Sequence, residues 1–238
     1  MSCFALHPAL TSAMLFALAC CSLPVAAAEP LKIVMLGDSI TKGVRSGVAE
    51  EETFASLIAA RFAERGTEAE VVNLGIGGER TDGALARLER DVLALQPHVV
   101  VVMYGTNDSY VDAGETRPRI TREQYADNLR AILQALRQAG VRPLLMTEPR
   151  WGAAATNNGA GEHPNLLLEQ YTVACRLVAE ETATPLVDHF AHWTAAEADG
   201  QDLGEWTTDQ CHPNPRGHAI LAELLWPTLS DLAAPARP

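Results

Sequence analysis

The stretch Leu31-Lys32-Ile33-Val34-Met35-Leu36-Gly37-Asp38-Ser39-Ile40-Thr41 decides how this chain folds. Residues 31–36 are mostly apolar and read as a short buried strand. Gly37 lets the chain turn, and Ser39 is left at the strand's carboxyl end. In open α/β sheets, ligands bind at that edge.

Four further apolar runs follow, at 69–74, 99–104, 143–147 and 185–187. Between them lie segments of helical period. Leu85, Leu88, Val92 and Leu95 form one stripe. Tyr125, Leu129, Ile132, Leu133 and Leu136 form a second, and Leu167, Tyr171, Ala174 and Val178 a third. Thr121-x-x-Gln124 is a capping-box start and Gly140 a natural stop. The last helix opens at Asn214-Pro215, and Pro227 is expected to end it. Strands alternating with helices predict a parallel sheet in a three-layer α/β/α sandwich. The segment 148–164 is a long loop rich in Gly, Ala and Asn and carries Trp151. Loops of that length are usually functional.

The 238 residues suit one large domain, with 47% hydrophobic and 20% charged residues. A net charge of −12 argues against nucleic acid or a stable membrane partner, since both select Lys/Arg patches. Residues 1–28 hold no Asp, Glu, Lys or Arg, and residues 13–23 are mostly apolar. Val25-Ala26-Ala27-Ala28 then supplies small residues. This reads as a signal peptide over 1–28, with a single domain at 29–238 exported to the periplasm or medium. The lack of a basic residue before the apolar run departs from the usual form. Cys20-Cys21 offers lipoprotein anchoring as a lesser alternative. Of five cysteines, Cys175 and Cys211 lie beyond that segment. They form either a disulfide or two buried thiols.

The chemistry-bearing motifs fall after strands. Ser39 follows the first. Asn73-Leu74-Gly75-Ile76-Gly77-Gly78 ends the second, and Gly105-Thr106-Asn107-Asp108 follows the third. Asp209-Gln210-Cys211-His212-Pro213 precedes the last helix. A parallel sheet brings all four to one edge. Ester cleavage explains the residue types. A serine hydroxyl needs a base within hydrogen-bond reach, and His212 is the candidate. Asp209, three residues upstream, can hold the imidazole in one tautomer. The developing oxyanion needs fixed donors, which the N–H groups of Ser39 and Gly78 and the Asn107 amide can supply.

The set Gly37-Asp38-Ser39, Gly78, Gly105-x-Asn107-Asp108 and Asp209-x-x-His212-Pro213 resembles the four sequence blocks of the SGNH hydrolases, the GDSL lipase/esterase superfamily. The blocks occur in family order from 37 to 213. The resemblance implies a flavodoxin-like fold with a five-stranded parallel sheet and no cofactor. It implies a catalytic triad of Ser39, His212 and Asp209, with oxyanion donors from Ser39, Gly78 and Asn107. Glu79-Arg80 departs from the small or hydroxyl residues common after Gly78, which predicts a more polar and charged pocket.

Each residue has a plainer reading beside this one. Ser39 could cap a helix, Asn107 could be a turn residue, and His212 could sit on the surface. Asp38, Asp108, Gly75 and Gly77 read as structural. His98, His163, His189, His192 and His218 read as surface or packing residues, and Trp193 and Trp206 as packing. Arg80 and Trp151 are candidate substrate contacts.

Substrates are small-molecule or polysaccharide esters. Export, an acidic chain and a polar loop with a tryptophan favour a carbohydrate O-acetylesterase. The alternative is a lysophospholipase, arylesterase or thioesterase, which needs an apolar groove. A metal-dependent phosphoesterase is disfavoured because no Asp-x-His or His-rich block is present, so no metal ligands are assigned. A non-catalytic binding module would carry a broken triad, and this one is complete.

Overall fold

The computed structural model describes residues 1–2 and 30–234. The proposed signal peptide therefore falls almost wholly outside the described residues. Five parallel strands are β1 (Leu31–Gly37), β2 (Ala69–Asn73), β3 (Val99–Met103), β4 (Arg142–Met146) and β5 (Leu186–Val187). They pair in the order β2-β1-β3-β4-β5.

Side-chain alternation divides the core in two. Ile33, Met35, Val101 and Met103 pack on one side of the sheet. Val34, Leu36, Val100 and Val102 pack on the other. Such strands are buried on both faces and read as continuous apolar runs. The first face is covered by α2 (Phe54–Glu64), α7 (His189–Ala198) and α8 (Pro215–Ala233). The second is covered by α3 (Thr81–Arg87), α5 (Arg122–Gln138) and α6 (Asn165–Glu181). One-turn helices α1 (Ser39–Lys42) and α4 (Thr106–Ser109) follow β1 and β3 directly.

Local chemistry sets the ends of α5. Thr121 Oγ1 accepts from Gln124 N, and Gln124 Oε1 accepts from Thr121 N. At the other end Gly140 N donates to Arg137 O and Val141 N to Leu136 O, with Gly140 at φ 77°. That is the Schellman pattern.

Two expectations are corrected. Pro227 lies inside α8 and does not end it. A proline in a helix interior costs about 3 kcal/mol. Leu225, Trp226 and Leu229 are buried on either side of it. Each such side chain contributes about 1.5–3 kcal/mol on burial, so packing prevails. The stripe from Leu85 is also interrupted. α3 stops at Arg87 and the chain widens into a π turn over Leu88–Val92. The register resets, so Ala84, Leu88 and Val92 are buried while Leu85 is exposed.

Cys175 and Cys211 are both free thiols. Cys175 packs with the α5–α6 side of the sheet and Cys211 with the α8 side. The sheet stands between them.

The chain passes from β1 outward to β2, then back across β1 to β3. The strand order therefore reverses between β1 and β3, and the crevice at their carboxyl ends is the binding position of such sheets. Ser39 follows β1 and Asn107 follows β3, so they flank this crevice.

Candidate active site

Gly37 is required by close packing. A Cβ there would lie 2.0 Å from Thr41 Oγ1 and 2.7 Å from Met103 O. Without it the chain turns at once into α1, with Ser39 as its first residue. Asp38 caps that turn by accepting from Ile40 N at 2.8 Å.

Ser39 Oγ lies 2.9 Å from His212 Nε2. His212 Nδ1 lies 2.9 Å from Asp209 Oδ2. A carboxylate only accepts, so Nδ1 carries the proton and Nε2 is free to accept from Ser39. The Asp-x-x-His spacing works locally. Asp209 Oδ1 accepts from the backbone N–H of Cys211 and His212, and the ring Nδ1 lies nearer Oδ2 than Oδ1. Gln210 takes φ 70° to complete the turn, and an antiparallel Thr207–Pro213 bridge closes the loop.

Burial pulls the His212 pKa below its usual 6.5, the nearby Arg45 charge adds to this, and Asp209 opposes it. For Asp209, burial pushes upward, but bonds from the His212 backbone and ring bring the net below the usual value. Arg45 Nη2 reaches Asp209 Oδ2 at 2.8 Å from a small turn closed by Arg45–Val48 backbone bonds.

The turn after β2 is tied to β1, since Ile76 N donates to Gly37 O. Asn73 Nδ2 donates to Thr41 O and fixes the same turn against α1. Gly78 is exposed at φ 76°, with open space where a Cβ would stand. Its constraint is the left-handed backbone. The Ser39 N–H lies in a helix's first turn, where no intrahelical acceptor exists. Asn107 is gripped at both ends of its amide. Nδ2 donates to Asp38 Oδ2 at 2.7 Å, and Oδ1 accepts from Arg119 Nη1 at 3.1 Å. These partners fix which end is nitrogen, and one N–H remains to serve a ligand.

Glu79 does not enrich the pocket with charge as expected. It turns inward, where Arg87 Nη2 binds it at 2.5 Å and Tyr104 Oη donates at 2.6 Å. There the guanidinium and the phenol satisfy both carboxylate oxygens out of water. Arg80 stays at the surface, with both guanidinium arms on Asp82.

Trp151 is partly buried, and its ring faces Tyr110 at 6.1 Å and 17°. Asn165 holds both its backbone N–H and its C=O. Gly152 N donates to Gln210 O, two residues from His212. Arg119 lies over the Tyr110 ring while bonding Asn107 and Asp112. The aromatic pair is thus tied to both sides of the site. Trp193 and Trp206 pack edge to face in the core, as expected. His189 and His218 are buried, which lowers their pKa to about 3 and about 4.

Sequence reasoning missed Arg45, Tyr110, Arg119 and Glu148. Glu148 carried a signal, because it follows β4 at the same edge as Ser39 and Asn107. Among the described residues, no three His, Cys, Asp or Glu side chains are grouped to hold a metal ion.

The chain is similar to known proteins over most of its length. The lipoprotein YqeF of Bacillus subtilis is 29% identical, over 80% of this chain and 86% of that protein. The isoamyl acetate-hydrolyzing esterase 1 homolog of Rattus norvegicus is 28% identical, over 83% and 81%. The crystal structure of an acetyl xylan esterase, AlAXEase, superposes with a TM-score of 0.69 at 26% identity, over 84% of this chain and 100% of that one. The GDSL-like lipase/acylhydrolase family model matches residues 35–220. That span contains every motif brought to the β1–β3 crevice, and the chain accordingly belongs to this family of carboxylic ester hydrolases.

Proposed function

We propose that this enzyme hydrolyses acetyl esters of carbohydrates through an acyl-enzyme on Ser39. The observation that carries the reading is the continuous relay Ser39 Oγ–His212 Nε2 and Nδ1–Asp209. Ser39 attacks the carbonyl carbon as its proton moves to His212 Nε2. The carbonyl oxygen becomes an oxyanion held by the Ser39 and Gly78 N–H groups and the free Asn107 amide N–H. The C–O bond breaks, and His212 returns the proton to the leaving alcohol. Water then attacks the acyl-enzyme, its proton passing through His212 back to Ser39, and acetate leaves. Asp209 stabilises the imidazolium formed in each step.

A short acyl group suits the surroundings. Residues 152–161 are mainly Gly, Ala and Asn and offer little apolar wall. Tyr110 and Trp151 present amphipathic rings suited to sugar faces. Two of the relatives are named for acetyl esters, isoamyl acetate and acetyl xylan. Export fits this substrate. It rests on the composition of residues 1–28, with a relative named a lipoprotein. No helix among the described residues is long and apolar enough to cross a membrane. The second reading is a lipolytic enzyme, favoured by the exposed Ile76 and Val44.

The test is hydrolysis of p-nitrophenyl esters of increasing acyl length and of acetylated xylo-oligosaccharides. Acetate is expected to be preferred. Trp151→Ala is expected to raise KM for the oligosaccharide about tenfold, the loss of about 1.4 kcal/mol of ring contact, and to leave p-nitrophenyl acetate nearly unchanged. A maximum at eight acyl carbons or longer would overturn the acetyl reading in favour of the lipolytic one.

A further inference from the structure

Glu148 is a fully buried acid that the reaction above does not use. It follows β4 at the catalytic edge, and its Cγ lies 3.5 Å from where a Cβ on Gly105 would stand. Neither of its carboxyl oxygens accepts a hydrogen bond within usual limits. Gly37, Met103 and Met146 are level across β1, β3 and β4, so the chain just beyond them brings fully buried Asp38 and Glu148 together at this edge, close enough for each carboxyl group to act on the other. No Lys or Arg among the described residues forms an ion pair with either acid.

Two adjacent buried carboxyl groups without a cation do not both ionise. Asp38 is the better place for the charge, because Ile40 N and Asn107 Nδ2 donate to it at 2.8 and 2.7 Å. The remaining proton belongs on Glu148.

We infer that neutral Glu148 is a positioning residue for the reaction. Its carboxylic O–H donates to Asp38 and keeps Asp38 charged and aimed at the Asn107 amide and the first turn of α1. This inference rests on Asn107 being an oxyanion donor.

Titration supports the geometry. Burial, with the Asp38 and Asp108 charges, pushes Glu148 well above the carboxylate range. Burial also raises Asp38, but its bonds from Ile40 and Asn107 oppose the shift, so Asp38 ionises before Glu148. The titratable groups facing Glu148 are Asp38 after β1, Asp108 on α4, Tyr125 on α5, Cys175 on α6 and Cys211 beside His212. None of them is cationic. Loss of the shared proton at high pH therefore sets two anions against each other behind Asn107.

The test compares Glu148→Leu, Glu148→Gln and Asn107→Ala on p-nitrophenyl acetate across pH. Asn107→Ala is expected to lower kcat by about 10²–10³. Glu148→Leu is expected to lower kcat about 10- to 100-fold with little change in KM, because a misplaced donor acts on the transition state. Glu148→Gln, whose amide N–H replaces the O–H, is expected to recover most of that loss. The wild type is expected to lose kcat on the alkaline side as the shared proton leaves, and Glu148→Gln should remove that fall. The infrared band of a protonated buried carboxyl should vanish in Glu148→Gln.

Normal kcat in Glu148→Leu beside a damaged Asn107→Ala would overturn the inference and leave the oxyanion reading standing. An undamaged Asn107→Ala would instead remove that reading and this inference with it. If Glu148→Leu fails to fold, Glu148→Gln still decides. An unchanged alkaline limb and an unchanged carboxyl band would overturn the role.

Discussion

Ser39→Ala is expected to lower kcat for ester hydrolysis by about 10⁶, as loss of a serine nucleophile does in other hydrolases. The magnitude follows from the arrangement. Asp209 and His212 act on the Ser39 oxygen and the oxyanion donors on the substrate's carbonyl oxygen, and none of them can form the acyl bond in place of Ser39. The fold should survive. Ser39 is only partly buried, and its side chain makes one described hydrogen bond, to His212. A net hydrogen bond contributes about 0.5–1.5 kcal/mol, a small part of a domain's stability. Turnover numbers and thermal melts of the two proteins check both halves. Substantial turnover in the variant would refute the acyl-enzyme.

His212→Ala is expected to be nearly as damaging, at about 10⁵–10⁶ in kcat, and combining it with Ser39→Ala should add little. Residues that act as one unit are not additive. The wild-type pH profile gives the matching signature. Only the neutral imidazole can take the serine proton, so activity falls on the acid side as His212 protonates. Burial and the Arg45 charge hold the His212 pKa below 6.5, so the fall lies below that pH. Arg45→Ala removes a nearby positive charge. Protonation of His212 then becomes easier, and the acid limb should move to higher pH. An acid limb that moves down, or no limb at all, would count against His212 as the base.

The residues proposed to react are readable in the sequence because each sits in a short motif whose spacing has a local cause. Gly37 must be small where β1 turns, and Asp209 must be three residues from His212 to cap its backbone and hold its ring. The supporting residues had no such mark. Arg45 meets Asp209 across 164 residues, and Glu148 meets Asp38 across the crevice. Glu148 has one signal, its place after β4 at the same edge as Ser39, but nothing beside it in the chain marks it as buried. Arg80 looked like a substrate contact, yet Asp82 two residues on occupies its guanidinium.

The alternation of strands and helices, the parallel sheet and the edge where the motifs gather were all legible along the chain. Those follow from periodicity and turn chemistry, which act within a few residues. Long-range packing, rather than local pattern, carried α8 through Pro227, set Cys175 and Cys211 on opposite faces of the sheet and turned Glu79 inward. It also gave the Asn107 amide its two partners and buried Asp38 and Glu148 at the same edge. Charge state and side-chain direction depend on burial and on partners far along the chain, and neither exists until the sheet and its helices have packed.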